Sequence, residues 1–318
     1  MNVDAPLIEA AIEREPILVS PQTPLLDVIA SMNQRRVDVK SENNNDCASS
    51  CSCVLVIQGE ELLGIFTERD IVRLTAQNID LERVKVSEVM IGPVITLDES
   101  AFNDVFAVLF LFRRYRIRHL PILNHKGQIL GIVSPESIRK VLRPDNFLKM
   151  RRVADVMIKN VISAPTTASV LEIAQLMAEY RVSCVVITLD VDVDDEEDWQ
   201  SVSVNPVGII TERDIVQFQA LQINLAKVEA QTVMSEPLFL LSPEDSLWTA
   251  HQQMLSRHVR RLVVSWNWGQ GLGIVTLTSL LRIFDPIEMY SVIQTLQQTI
   301  EQLETEKAQL LEQLSGNS

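Results

Sequence analysis

Two stretches of the chain set a hydroxyl and a carboxylate three residues apart within the same hexapeptide. They are Thr67-Glu-Arg-Asp-Ile-Val72 and, 144 residues on, Thr211-Glu-Arg-Asp-Ile-Val216. Each follows a glycine and two apolar residues, Gly64-Ile-Phe and Gly208-Ile-Ile. Such a pair supports two kinds of chemistry. Where a strand turns into a helix, Thr and an acid three residues later form a capping box that satisfies two orphan backbone N–H groups. The same two groups can instead present hydrogen bonds to a bound ligand. Two weaker copies, Gly131-Ile-Val-Ser134-Pro-Glu-Ser137 and Gly273-Ile-Val-Thr276-Leu-Thr-Ser279, keep the hydroxyl and carry Ser137 and Ser279 in place of the acid. A cap needed in every copy should be retained evenly, so an acid kept only in the first and third copies points toward a ligand. Both readings stay open at this level.

Other chemistry finds little support in the spacing. No Gly-x-x-x-x-Gly-Lys-[Ser/Thr] phosphate loop and no Gly-x-Ser-x-Gly nucleophile elbow occurs, and the four histidines form no zinc-type pair. Gly269-Gln-Gly271-Leu-Gly273 reads as a hairpin turn, because the third glycine of a dinucleotide fingerprint is missing. Cys47, Cys51 and Cys53 lack a fourth ligand at matched spacing, so the polar stretch from Lys40 to Cys53 is expected to be a loop with incidental thiols. The acidic run Asp190–Asp198 breaks the calcium-loop pattern at Asp195 and Ser201 and reads as a solvated loop. No catalytic residue, metal ligand or cofactor is expected. An enzyme is expected only if an output domain follows Ser318 in the gene product.

These groups must be positioned by four similar units. Val-Met recurs at 89–90, 156–157 and 233–234, each before a β-rich segment beginning at Val94, Val161 or Leu238; the first copy has Pro16-Ile-Leu-Val instead. Helical patterns follow at Leu25–Arg36, Ala101–Arg116, Val170–Arg181 and Leu247–Arg257, with Pro24 and Ser246 at first-turn positions. Strands are expected at Val54, His119, Val185 and Leu262, and a second strand from each repeated glycine leads into a second helix. Each unit thus reads β-α-β-β-α, and the α+β fold class follows. The expected divisions are 5–76, 84–143, 150–220 and 228–285. A last segment at 287–314 carries an apolar ladder spaced by four and three, from Met289 through Ile293, Leu296, Ile300, Leu303 and Leu310 to Leu314, with Lys307 as its polar step. That ladder predicts a coiled-coil helix.

The chain has 318 residues, 47% of them hydrophobic and 22% charged, with a net charge of −14. This acidity argues against nucleic acid as a partner, because a phosphate backbone requires a basic footprint. The longest apolar run, Val105–Phe112, is far shorter than the roughly 18 residues a membrane span needs. With no basic and apolar leader at Met1 and four scattered cysteines, a cytoplasmic setting is expected.

The fourfold motif, the Val-Met segments and the unit order together resemble the cystathionine β-synthase (CBS) domain family, as two tandem Bateman modules over about residues 5 to 286. The resemblance implies that pairs of repeats join through their sheets and leave clefts that bind adenosyl ligands such as AMP, ADP or ATP. It implies Asp70 and Asp214 as ribose contacts and Thr67 and Thr211 as phosphate contacts. Arg118 and His119, in Arg116-Ile-Arg118-His119, and Arg260 and Arg261, in His258-Val-Arg260-Arg261, would supply phosphate charge from the even repeats. Acids in odd repeats and cations in even ones would build one composite site per module. The same arginines could instead complement helix C-terminal dipoles. By this resemblance the chain is a nucleotide sensor, a homodimer through CBS surfaces and the coiled coil, acting on an output domain or partner protein. The alternatives are a ligand-free dimerisation scaffold and the sensor part of a longer signalling enzyme.

Overall fold

A computed structural model describes residues 8–42, 52–101, 105–141, 148–189, 205–267 and 271–284. The coiled-coil ladder at 287–314, the acidic run at 190–198, and Cys47 and Cys51 lie outside these residues.

Each repeat builds one three-stranded sheet in the order first, second, third strand. In the first repeat, β1 (Ile17–Val19) runs parallel to β2 (Cys53–Gln58), which pairs antiparallel with β3 (Glu61–Thr67). A parallel pair needs a crossover, and α1 (Leu25–Glu42) supplies it; α2 (Glu68–Ala76) leaves directly from β3. The second repeat places β4 (Leu97–Asp98), α3 (Val105–Tyr115), β5 (Leu120–Leu123), β6 (Ile129–Val133) and α4 (Pro135–Val141) in the same order. The third has β7 (Ser163–Pro165), α5 (Val170–Tyr180), β8 (Cys184–Leu189), β9 (Asn205–Thr211) and α6 (Glu212–Ala220). The fourth has β10 (Leu240–Leu241), α7 (Leu247–Ser256), β11 (Arg261–Trp266), β12 (Gly271–Thr276) and α8 (Leu277–Leu281). Trp266 faces Gly271 across the antiparallel β11–β12 pair, so Gly271 and Gly273 lie in a strand; Gly269 lies outside the described residues.

Two expectations shift. Helix α1 continues to Glu42 and Cys53 opens β2, so the first insertion is shorter than Lys40 to Cys53. Cys53 is fully buried between two sheets with Leu55, Ile65 and Ile132, committed to core packing. The first strands of repeats two to four begin at Leu97, Ser163 and Leu240, two or three residues later than expected. The residues ahead of them have another task. Ile91 bridges to Ile65 and Ser235 to Ile209, each reaching back to the preceding repeat. Glu13 bridges forward to Ile132, and Ile158 forward to Ile274. Repeats one and two are therefore laced together reciprocally, as are three and four.

The repeated glycines make this lacing possible. A Cβ on Gly64 would lie 2.5 Å from Met90 Sδ, and one on Gly131 would lie 2.4 Å from the Glu13 carbonyl oxygen. Between the sheets, Cys53, Leu55 and Ile65 pack on Ile132 in one module, and Cys184 and Val186 on Val263 and Ile274 in the other. Full burial of a large aliphatic side chain stabilises by about 1.5–3 kcal/mol, so these dry interfaces define two modules.

The modules meet through helices within the one chain: α2 packs on α5 and α6, α1 on α6, and α4 on α8. Val72 of α2 joins the core of the third repeat, and Val216 of α6 joins that of the first. Gln219 Nε2 donates to Thr75 Oγ1 at 2.9 Å across the same seam.

Candidate functional site

Thr67 and Thr211 are the N-cap residues of α2 and α6. Asp70 Oδ2 accepts from the Thr67 backbone N–H at 3.0 Å and from its hydroxyl at 2.7 Å. Asp214 Oδ2 does the same for Thr211, at 2.8 and 2.7 Å. The capping geometry is thus real. It is equally real in the even repeats. Ser137 Oγ accepts from the Ser134 N–H at 2.9 Å, and Ser279 Oγ from the Thr276 N–H at 2.8 Å. A serine hydroxyl thus takes the backbone N–H of the N-cap residue as the aspartate does, so that bond does not require the acid.

What differs is the charge. Asp70 is 3% exposed. Burial pushes its carboxyl above the usual aspartate range, against the opposing pull of the Thr67 hydrogen bonds and of Arg73. A group that serine could replace as a cap has been kept as a carboxylate at a desolvation cost.

Thr67 and Asp70 line a cleft of about 160 Å³ between the first two repeats, together with Arg69, Pro93, Arg118 and His119. The structure therefore brings four of the expected site residues into one cavity, two from each repeat. Arg260 and Arg261 instead line a second cavity, of about 80 Å³, where all four repeats converge. Arg118 and His119 border both cavities, and Ser52, Glu68, Glu136 and Ser183 are among the residues that line the central one.

His119 does not contribute a charge. Burial, followed by the nearby Arg118 and Arg260 guanidiniums, lowers its pKa to about 3, so the ring is neutral near pH 7. Its Nε2 lies 2.6 Å from Ser52 Oγ. In the second module Arg261 Nε donates to Ser183 Oγ at 3.1 Å. The two modules thus hold a neutral ring and a cation against equivalent serines, which corrects the grouping of His119 with the arginines.

Sequence reasoning missed the carboxylates that face these cations. Glu212 Oε2 accepts from Arg118 Nη2 at 2.7 Å, and its Oε1 from Arg69 Nε at 3.3 Å. Arg213 Nε lies 3.5 Å from Glu68 Oε1, and Arg260 pairs with Glu136. All four pairs cross from one module to the other. Burial alone would raise the Glu68 carboxyl, but Arg213, Arg260, Arg118 and Arg261 outweigh it and hold it below the usual range. Burial likewise disfavours the Arg118 charge, and Glu212 more than restores it. A signal was present: both strong hexapeptides carry Glu directly after the capping Thr, where the weak copies have Pro135 and Leu277.

The model of the CBS domain matches four stretches, residues 8–76, 86–144, 153–221 and 230–285. The chain belongs to the CBS domain family. An uncharacterised protein of Methanopyrus kandleri is 31% identical over 132 residues, covering 41% of this chain and 61% of the relative. An uncharacterised 33.4 kDa protein of Thermofilum pendens is 28% identical over 222 residues, covering 62% of this chain and 66% of the relative. The chain thus spans about two thirds or less of the length of these two relatives. Among solved structures, protein MJ1225 of Methanocaldococcus jannaschii, described as a proposed archaeal homologue of g-AMPK, superposes with a TM-score of 0.69 at 18% identity. That superposition covers 87% of this chain and 99% of MJ1225, and it shows a shared fold of four CBS repeats. Among the described residues, no helix is long and apolar enough to cross a membrane, and no group of three His, Cys, Asp or Glu side chains could hold a metal ion.

Proposed function

We propose that the chain is a regulatory module that binds an adenosyl ligand of the AMP type in the cleft between its first two CBS repeats. The observation that carries this reading is Asp70, a buried carboxylate facing a cleft where serine would serve as a cap. Its charge-bearing oxygens suit the paired hydroxyls of a ribose, and Arg69 and Arg118 on the same walls suit a phosphate. Thr67 would contact the phosphate, and His119 would offer a neutral hydrogen-bonding ring. Thr211, Asp214, Arg260 and Arg261 would form the corresponding site of the second module. The bound state would pass to an output domain or partner through a homodimeric coiled coil at 287–314. The direct test is a melting screen of the whole chain against AMP, ADP, ATP and cyclic dinucleotides. A ligand at about 100 Kd should stabilise the fold by roughly 2.7 kcal/mol per site. Flat melting curves with all of them would refute the reading.

A second reading is a ligand-free dimerisation scaffold. It is favoured by the glutamates, since Arg69, Arg118, Arg213 and Arg260 are each already paired with a carboxylate. The same screen separates the two.

A further inference from the structure

One buried carboxylate of the second module holds two of the three guanidiniums that line the first module's cleft, those of Arg69 and Arg118; the third belongs to Arg116. Glu212 is 1% exposed and uses one oxygen for each: Oε1 for Arg69 at 3.3 Å and Oε2 for Arg118 at 2.7 Å. Both arginines border the cavity that contains Thr67 and Asp70. Glu212 follows Thr211 directly and opens α6, the same helical turn that carries Asp214. Its counterpart Glu68 reaches Arg213 of the second module at 3.5 Å. Glutamate side chains thus pass both ways between the two hexapeptides, but the contact made by Glu212 falls on the walls of the cleft.

We infer that Glu212 is a specificity residue of the first module's cleft, supplied by the second module, which competes with an anionic group of the bound ligand for Arg69 and Arg118. The inference rests on the ligand-binding reading given above. A phosphate entering the cleft meets Arg116 and, already neutralised by Glu212, Arg69 and Arg118. To engage them fully it must loosen a carboxylate that has almost no access to water, and a buried charge left without partners is costly. The competition therefore lowers the advantage of a charged ligand over an uncharged one of the same shape. It also links the first module's cleft to the second hexapeptide, because any shift of Glu212 acts on the turn that holds Thr211 and Asp214. Such coupling is reciprocal: whatever binds at the second motif and draws Glu212 away frees the cations of the first.

The test uses AMP and adenosine, which differ by the phosphate, titrated calorimetrically into the full chain. Glu212→Gln removes the charge and keeps the shape. It should raise AMP affinity about tenfold, the scale of one charge-assisted contact, and change adenosine affinity less than about twofold. Glu212→Asp keeps the charge but withdraws it by a methylene, and should raise AMP affinity by a smaller factor, about threefold. Hydrogen exchange of the unmutated chain gives a readout that needs no variant: residues 211–220 should exchange faster with AMP bound than with adenosine bound. An unchanged or lowered AMP-to-adenosine ratio in a folded variant overturns the inference and leaves the ligand reading standing. Equal exchange of 211–220 with the two probes overturns it as well. Failure of both probes to bind the unmutated chain overturns the ligand reading itself, and the inference with it.

Discussion

Asp70 and Ser137 hold equivalent places in successive repeats and close the same cap. The carboxylate accepts the Thr67 N–H at 3.0 Å, and the hydroxyl accepts the Ser134 N–H at 2.9 Å. Cap and charge are therefore separable in this protein. Asp70→Ser should fold with a stability within about 1 kcal/mol of the parent in urea denaturation, because the hydroxyl can replace the cap. A loss well beyond that would mean that the carboxylate is structural.

The repeated glycines should differ in their tolerance of a methyl group. A Cβ at Gly131 meets the backbone oxygen of Glu13 at 2.4 Å, within the Glu13–Ile132 bridge that laces the first module. A Cβ at Gly273 has Met157 Sδ as its nearest neighbour, at 3.1 Å, on a side chain that can turn. Gly131→Ala should cost about 2–3 kcal/mol and Gly273→Ala under about 1 kcal/mol, in the range of overpacked cores. Equal losses in denaturant titrations would contradict the lacing.

The sequence made the unit order legible, because apolar periodicity and the glycine-apolar-apolar-Thr signal are local. Strands β2, β5, β8 and β11 each begin one residue away from Val54, His119, Val185 and Leu262, where they are expected. The lacing was not legible, since Ile91 and Ile158 follow the Val-Met pairs in strand-like segments and only the fold shows that they bridge to Ile65 and Ile274. Within the candidate site, Thr67, Asp70, Arg118 and His119 were named through the resemblance to the CBS family, and they share one cleft. Glu68 and Glu212 stand out in the hexapeptides, but their pairing was not legible, because Arg118 and Glu212 are 94 residues apart and meet only when the modules dock. The neutrality of His119 was hidden for the same reason: its burial and its arginine neighbours come from other elements.

That neutrality has a consequence for stability against pH. The folded pKa of His119 is about 3, below its ordinary 6.5, so the unfolded chain binds the extra proton first as pH falls. Its contribution is complete above about pH 6.5 and is lost as pH drops toward 3, by at most about 1.4 kcal/mol per pH unit. Glu68, held low, adds a slope of the same sign near and below its ordinary 4.5. Asp70, held high, acts with the opposite sign above its ordinary 3.8. The His119 share of the slope between about pH 5 and 6.5 is the part that a His119 substitution removes. Urea denaturation at several pH values should show a slope there that His119→Gln reduces; an unchanged slope would place the ring in a different charge state.

The tail remains a proposal drawn from its heptads. Ile293 and Ile300 at a with Leu296, Leu303 and Leu310 at d favour a parallel two-stranded coiled coil. Spin labels at residue 312 of two chains should give a short, narrow distance distribution, and Leu296→Asp with Leu303→Asp should abolish it. A broad or long distribution in the parent would count against the parallel pair.

The central claim is that the Asp70 cleft takes a nucleotide, and calorimetric titration of AMP into the parent and into Asp70→Ser tests it most directly. The account predicts measurable binding to the parent and an affinity about thirtyfold weaker in a variant that keeps its fold, the equivalent of roughly 2 kcal/mol of lost hydrogen bonding to a charged group. Equal AMP affinity in the two proteins, or no heat with either, would contradict it.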